Sequence, residues 1–195
     1  MGLVWVNMRD KTLPDGTDYF TINSKGAVPA LELPDGQRLS EGAVIMQYLA
    51  DLRPQSKLIA PHGTLERYRV LEWMSFIAAD LHKGRFMPLF KPATPPGYRE
   101  IARKYLQRHL RWLDAQLSDR QFLTGSTFTI ADAHCYTISM WAKVVDVDTA
   151  GMTHLHAYLA RVGGRKSVIA AELAARAQGE RAAALQASAM HLERP

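Results

Sequence analysis

The chain has 195 residues, 47% of them hydrophobic, with 24 Lys and Arg against 19 Asp and Glu and a formal net charge of +5. That is enough apolar content for a sizeable core in one or two domains, and the basic residues are spread along helical stretches without aromatic interleaving, which speaks against a nucleic-acid partner. One cysteine, Cys135, excludes an intramolecular disulfide, and the absence of a membrane-length apolar run or a signal-peptide pattern points to the cytoplasm and away from a membrane partner.

The chain opens on Leu3-Val4-Trp5-Val6-Asn7-Met8, a β-branched and aromatic run that predicts a strand. Arg9 to Phe20, with Lys11, Pro14, Asp15 and Gly16, reads as a loop entering a short helical turn. From Asn23 to Asp51 the pattern is a turn, a strand over Val28 to Leu33, a Pro34-Asp35-Gly36 hairpin turn, a second short strand and a helix starting near Ser40-Glu41-Gly42. X-Pro is the one bond that adopts cis at modest cost, so Val28-Pro29 is expected to be cis and to turn the backbone N–H and C=O of Val28 outward for an extended peptide. Glu41 and Gly42 stand at a helix start, where unpaired N–H groups favour a carboxylate and the Glu41 side chain can hold an ammonium. An exposed peptide edge with a carboxylate seat and an ammonium seat suits a γ-glutamyl peptide.

After Asp51 the proline-bracketed stretch 54–63 reads as a linker. A helix follows from Thr64, with Leu65, Tyr68, Leu71, Phe76 and Ala79 near a 3.6-residue period through Leu81, and it must end by Pro88 or Pro92. Tyr98 to Leu117 predicts a long amphipathic helix with Ile101, Tyr105, Leu106, Leu110, Leu113 and Leu117 inward. Thr129 and Asp132 form a capping box at the head of a helix that carries Cys135 and Trp141 as core residues. Met152 to Val162 is a further helix, on which His154 and His156 point to different faces and do not share a metal ion. Ser167 to Met190 is alanine-rich and helical.

Two stretches carry a resemblance that extends from Val6 to about Ala170. NSKGAVPAL followed by LSEGAVIMQYLAD is similar to the glutathione-binding half of the thioredoxin-like domain of glutathione S-transferases, in particular the bacterial beta class. FLTGSTFTIADA resembles the capping motif that opens the core helix of the all-helical domain in that family, and Asp80-Leu81-His82-Lys83-Gly84 resembles its helix segment with a histidine near the glutathione cleft. The resemblance implies an α/β plus all-α fold: a truncated thioredoxin-like domain over residues 1–53, a linker over 54–63 and an all-helical bundle over 64–195. It implies a homodimeric transferase that conjugates the glutathione thiol to a hydrophobic electrophile, with glutathione as co-substrate and no metal or other cofactor. Val28 and Pro29 would meet the peptide backbone of glutathione, Glu41 and Gly42 its γ-glutamyl end and Lys11 its glycine carboxylate, with His82 assisting at the cleft. Ser75 stands where family members often have asparagine, and Arg165-Lys166 where they show arginine followed by proline.

The family fold places a strand and a helix ahead of Leu3, and that helix begins with the cysteine, serine or tyrosine that contacts the glutathione sulfur. The expectation is therefore of a member truncated at its start, with no residue assignable to sulfur activation and with impaired conjugation. A non-catalytic member that binds glutathione or a protein, and an inactive fragment, are the alternative readings.

Overall fold

Turn chemistry sets the first regular element. In the computed structural model, which describes residues 2–192 with side chains through residue 180, Gly36 N donates to Leu33 O (3.0 Å), Leu33 N to Gln37 O (2.8 Å), and Asp35 Oδ1 accepts from Gln37 N (3.0 Å). This closes an antiparallel pair of strands, β1 (Ala30–Glu32) and β2 (Arg38–Ser40), in the register Ala30↔Ser40, Leu31↔Leu39 and Glu32↔Arg38. The last pair is also an ion pair at 3.0 Å, a cross-strand contact of the kind that holds a register. One residue after β2 the chain enters helix α1 (Gly42–Asp51).

The apolar run at residues 3–8 is not a strand, contrary to its composition. Among the described residues Asn7 makes only an isolated bridge to Thr12, and Leu3, Val4, Trp5 and Met8 are exposed, Val4 by 67%. A strand is a pairing before it is a composition: without a neighbouring backbone to share hydrogen bonds, β propensity produces no ladder. The chain from residue 7 to 27 is instead a loop built on side-chain acceptors, beginning with Asn7 Oδ1, which takes the N–H groups of Arg9 and Asp10.

The remaining regular elements are helical. They are α2 (Leu65–Phe76), a π-helical segment (Ile77–Phe86), α3 (Met87–Phe90), α4 (Pro96–Gln116), α5 (Ile130–Ser139), α6 (Thr153–Gly163) and α7 (Lys166–Leu192), with short 3-10 turns at Tyr19–Thr21, Pro54–Ser56 and Met140–Lys143. The fold is thus a small α/β element of thioredoxin type and an all-helical body. By contacts the chain divides into two units, one comprising the chain up to Ile45 together with the segment from Arg165 onward, the other Met46–Gly164, so the division falls inside α1. Residues 54–63 are held within the second unit: Leu58 O accepts from Ile130 N (2.9 Å), Ala60 O from Arg67 Nη1 (3.1 Å), and Ile59 is buried.

The core of the second unit is drawn from Val70, Met74, Ile77, Leu81 and Phe86, from Ala102, Leu106, Leu110 and Leu113 of α4, and from Leu155, Tyr158 and Val162 of α6. The helix from residue 64 therefore buries a different stripe from the one its spacing suggested; Leu65 and Tyr68 are exposed, Leu65 by 65%. On α4 the inner stripe runs through Ala102 in place of Ile101 and Tyr105, which are exposed. Several periodic stripes coexist on one helix, and only the packing partner selects among them. Helix α5 lies among these elements, with Ile130, Ala131, Asp132, Cys135, Tyr136, Ile138 and Ser139 all buried. Its start is fixed by a reciprocal box, in which the Thr129 side chain accepts from the backbone N–H of Asp132 and Asp132 Oδ2 accepts from Thr129 N (2.8 Å), the same carboxylate oxygen also lying 3.1 Å from Thr129 Oγ1. Asp132 Oδ1 also accepts from Leu123 N (2.9 Å) and from Tyr158 Oη (3.1 Å), so one carboxylate joins the preceding loop, α5 and α6.

Candidate glutathione-binding site

Residues 19–27 are fastened so as to deliver Val28 and Pro29. Tyr19, buried, donates its hydroxyl to Ala27 O (2.9 Å), and Asn23 Nδ2 donates to the same oxygen (2.7 Å). Asn23 also closes the turn beneath: its O accepts from Gly26 N (2.7 Å) and its Oδ1 from Lys25 N (3.2 Å). At Gly26 φ is +60°, a left-handed conformation that favours glycine, and a Cβ there would also push the exposed Phe20 ring, 2.6 Å away at Cε1, out of its place. Beyond this turn the Val28-Pro29 bond is cis and Val28 is exposed.

Val28, Pro29, Glu41 and Gly42 are neighbours. The Pro29 ring packs against Gly42, its Cδ and Cγ 3.6 and 3.7 Å from where a Cβ on Gly42 would sit. Glu41 precedes α1 with φ +72°, and its carbonyl accepts from Val44 N and Ile45 N, both at 2.9 Å. A non-glycine residue in that left-handed region costs about 1–3 kcal/mol, an expense met mostly where backbone geometry serves a site. Gly42 thus heads α1 directly after Glu41, so the positive end of a helix, which favours an anion, adjoins a carboxylate that favours a cation.

The structure adds a residue that the sequence did not single out. Lys25 Nζ stands 2.5 Å from Glu41 Oε1, with both side chains at least half exposed. The sixteen residues between the two hide the pairing from any local pattern; only the folding of the 23–27 turn against the start of α1 makes it visible. Lys11 is directed at the same turn. Its Nζ donates to Gly26 O (2.8 Å), while its backbone, at φ +57°, accepts from Tyr19 N (2.7 Å) and donates to Asn7 O (2.8 Å). The Lys11 ammonium therefore braces the loop that carries Val28.

His82 belongs to the second unit, in the π-helical segment. Its ring is half-buried and meets Trp141 edge-on at 5.1 Å between centroids. Burial, and then the charge of Lys83, push its pKa below the ordinary histidine value. Behind it His134 of α5 is pushed down to about 4, by burial and then by His82. Cys135 is fully buried and its thiol is pushed up to about 12, mainly by burial, so it supplies no thiolate at neutral pH. No group of three or more His, Cys, Asp or Glu able to hold a metal ion occurs among the described residues, and no helix among them is long and apolar enough to cross a membrane. The second unit also has a groove of about 1270 Å³ between residues 54–62, α2 and the end of α4, walled by Trp73, Phe76 and Trp112. It contains none of the six residues expected at the site, and its acidic and basic lining residues balance.

Comparison with known proteins bears on this geometry. Residues 3–52 match the family profile of the glutathione S-transferase N-terminal domain, and residues 96–161 that of the glutathione S-transferase C-terminal domain. The chain is 44% identical to the glutathione S-transferase GstA of Escherichia coli O157:H7 over 85% of its own length and 82% of that protein's. A sphingomonad glutathione S-transferase solved with glutathione superposes with a TM-score of 0.84 at 36% identity, covering 90% of this chain and 86% of that one. The bacterial beta-class glutathione S-transferase of Sphingomonas chungbukensis superposes equally well, TM-score 0.84 at 36% identity, over 88% of this chain and 85% of the other.

Proposed function

This chain belongs to the glutathione S-transferase family, and on that basis we propose that it binds glutathione at Val28, Pro29, Glu41 and Gly42 and conjugates its thiol to a hydrophobic electrophile. The observation that carries the reading is the adjacency of three features: an exposed residue on the N-terminal side of a proline, a strained Glu41, and the first turn of α1. In the bound state the backbone N–H and C=O of Val28 pair with the cysteinyl residue of glutathione as one further strand, a mode of recognition that reads main chain and fixes direction. The γ-glutamyl carboxylate takes the N–H groups at Gly42, and the ammonium takes Glu41.

That ammonium meets a seat already filled by Lys25. Ligand binding exchanges one cation for another on the same carboxylate, so Glu41 is compensated in both states and the freed Lys25 remains next to an anionic peptide. Lys11 acts through the loop that it braces and, with the protons not given to Gly26 O, toward the glycine carboxylate. His82, whose pKa burial pushes below the ordinary histidine value, is by the family resemblance a further glutathione contact, one able to donate or accept a proton. Conjugation requires the thiolate, since that is the nucleophile, so the rate is governed by how far the protein lowers the thiol pKa. We place the protein in the cytoplasm as a homodimer with glutathione as its co-substrate.

The test is a pair of measurements on the full chain: calorimetric titration with glutathione, and turnover with a generic aromatic electrophile. Micromolar to millimolar binding that Glu41→Ala weakens about ten- to a hundredfold, together with turnover dependent on glutathione, supports the reading. Absence of binding overturns it, and binding without turnover restricts it to a glutathione-binding member of the family.

A further inference from the structure

The core stripe of the first long helical run skips a residue. Val70, Met74, Ile77 and Leu81 follow one another at steps of four, three and four, as an α-helix requires, and the next fully buried residue is Phe86, five positions on. Ile77 and Phe86 are both 0% exposed. Nine residues of α-helix would turn Phe86 through about 900°, two and a half turns, onto the side opposite Ile77. The wider i→i+5 winding turns less per residue and brings both side chains back to one face. Continued α winding would have put Arg85 in the core; it lies instead against the face of Tyr105, its Cζ 4.9 Å from the ring centroid.

The same winding aligns His82. In an α-helix a residue four positions on lies about 40° past its predecessor, whereas in a π-helix it falls short of a full turn. Here 82→86 is wound one way and 86→90 the other, so the offsets oppose, and His82, Phe86 and Phe90 form one stripe. All three rings meet Trp141 edge-on, at 5.1, 5.9 and 5.4 Å. The winding ends where Met87 N donates to His82 O, five residues back. Within it, a Cβ on Gly84 would lie 3.0 Å from Ala79 O, the carbonyl five residues earlier, tighter than nine in ten Cβ contacts, so that the backbone of the turn would have to give by a few tenths of an ångström.

We propose that Gly84 is a positioning residue: its lack of a side chain permits the π winding that turns the His82 ring onto Trp141. The inference rests on the reading of His82 as a glutathione-site residue only for its functional consequence; the winding and the ring placement stand on their own. A side chain at 84 pushes the 79–84 turn open and swings His82 off Trp141 toward water. The titrating neighbours on either side are Lys83 on the same segment and His134 on α5, and neither is altered by the substitution.

The experiment uses NMR on the full chain. In the wild-type protein a through-hydrogen-bond coupling should link Met87 N to the carbonyl carbon of His82; a coupling to Lys83 instead would overturn the proposal, with no variant needed. In Gly84→Ala the His82 titration midpoint should move up toward the ordinary histidine value and the nuclear Overhauser effect between the His82 and Trp141 rings should weaken; an unchanged midpoint and contact would overturn it. Glutathione affinity then reads the consequence. Gly84→Ala should raise the Kd for glutathione about three- to tenfold, and the same substitution in a His82→Ala background should add nothing, because it acts through that ring. Additive losses would overturn the positioning role. If His82→Ala by itself leaves the Kd unchanged, the assignment of His82 to the glutathione site fails, and the two NMR readouts still decide the role of Gly84.

Discussion

Lys25 Nζ and Glu41 Oε1 stand 2.5 Å apart, so the carboxylate proposed to take a ligand's ammonium already holds a lysine ammonium. An exposed pair of this kind contributes little to folding, about 1 kcal/mol at most, which leaves it free to exchange partners. Two substitutions separate its roles. Glu41→Ala removes a charge-assisted bond to the ligand and should weaken retention on immobilised glutathione by about 1.5–3 kcal/mol, ten- to a hundredfold. Glu32→Ala, in β1 and paired with Arg38, should leave retention unchanged. Equal loss in both would remove Glu41 from the site.

Lys25→Met tests the exchange itself. If the ligand must displace Lys25, its removal should tighten glutathione binding a few-fold, within the roughly 1 kcal/mol of a surface pair, and should flatten the salt dependence measured by calorimetry between low and physiological ionic strength. Weaker binding in Lys25→Met would mean that the lysine holds the ligand and not its seat.

How much of this could be read from residues depends on how local each feature is. The Pro34-Asp35-Gly36 turn, the start of α1 and the Thr129/Asp132 box are each fixed by chemistry within four residues, and the structure has them where the sequence placed them. The run from Leu3 to Met8 has strand composition, but a strand is made by its neighbour, and composition carries no information about that neighbour. Leu65, Tyr68 and Ile101 are periodic and still exposed, because a stripe becomes a core only by packing. The π winding was hidden for a related reason: one five-residue step between Leu81 and Phe86 breaks a periodicity that a search for 3.6 continues through. At the proposed site, the helix start after Glu41 was legible from local chemistry, whereas the Lys25–Glu41 pair was not, since its two members lie sixteen residues apart.

Asp132 accepts four hydrogen bonds from Leu123, Thr129 and Tyr158 while fully buried. Asp132→Asn keeps the shape but turns an NH₂ toward donors, and should cost about 2–4 kcal/mol in urea unfolding. The residues of the glutathione seat are untouched, so at low temperature, where the variant is folded, glutathione affinity should match the wild type. A loss of affinity without a loss of stability would give Asp132 a role beyond folding.

Cys135 should be chemically silent. Its thiol is buried against Ser139, 3.6 Å away, and burial holds it protonated far above neutral pH. A maleimide at pH 8 should label the protein only on addition of denaturant, and Cys135→Ala should keep the turnover of the parent chain. Rapid labelling of the native protein, or lost turnover in Cys135→Ala, would show that the helix opens or that the thiol takes part in the chemistry.

Asp51 and Arg67 form a two-pronged ion pair, Nη1 to Oδ1 at 2.9 Å and Nη2 to Oδ2 at 2.8 Å, and Arg67 is nearly buried while a third of the Asp51 side chain is open to water. Arg67 also holds Ala60 O, so it ties the end of α1 and residues 54–63 to α2. The hydrogen bonds from Arg67, opposed by burial and aided by its charge, keep the Asp51 carboxyl below its ordinary 3.8. The sign follows from linkage: a carboxylate whose folded pKa is depressed binds fewer protons than the unfolded chain, so its contribution is complete above the ordinary carboxylate range and is lost as pH falls through the lowered folded value. Arg67→Ala at pH 7 leaves a partly buried carboxylate without its partner and should cost about 2–3 kcal/mol, reduced from the fully buried case by the exposure of Asp51. Between pH 7 and pH 3 the wild type should lose more stability than the variant, because the variant keeps at this carboxyl only the weaker lowering given by His62, whose Nε2 lies 3.4 Å from Asp51 Oδ2. Asp15, Asp35 and Asp119, also depressed, are present in both proteins and cancel in the difference. Urea midpoints for the two proteins at pH 7, 5 and 3 measure this: a gap that narrows on acidification supports the pair as the anchor, and a gap of constant size would mean that Arg67 acts through Ala60 O and packing alone.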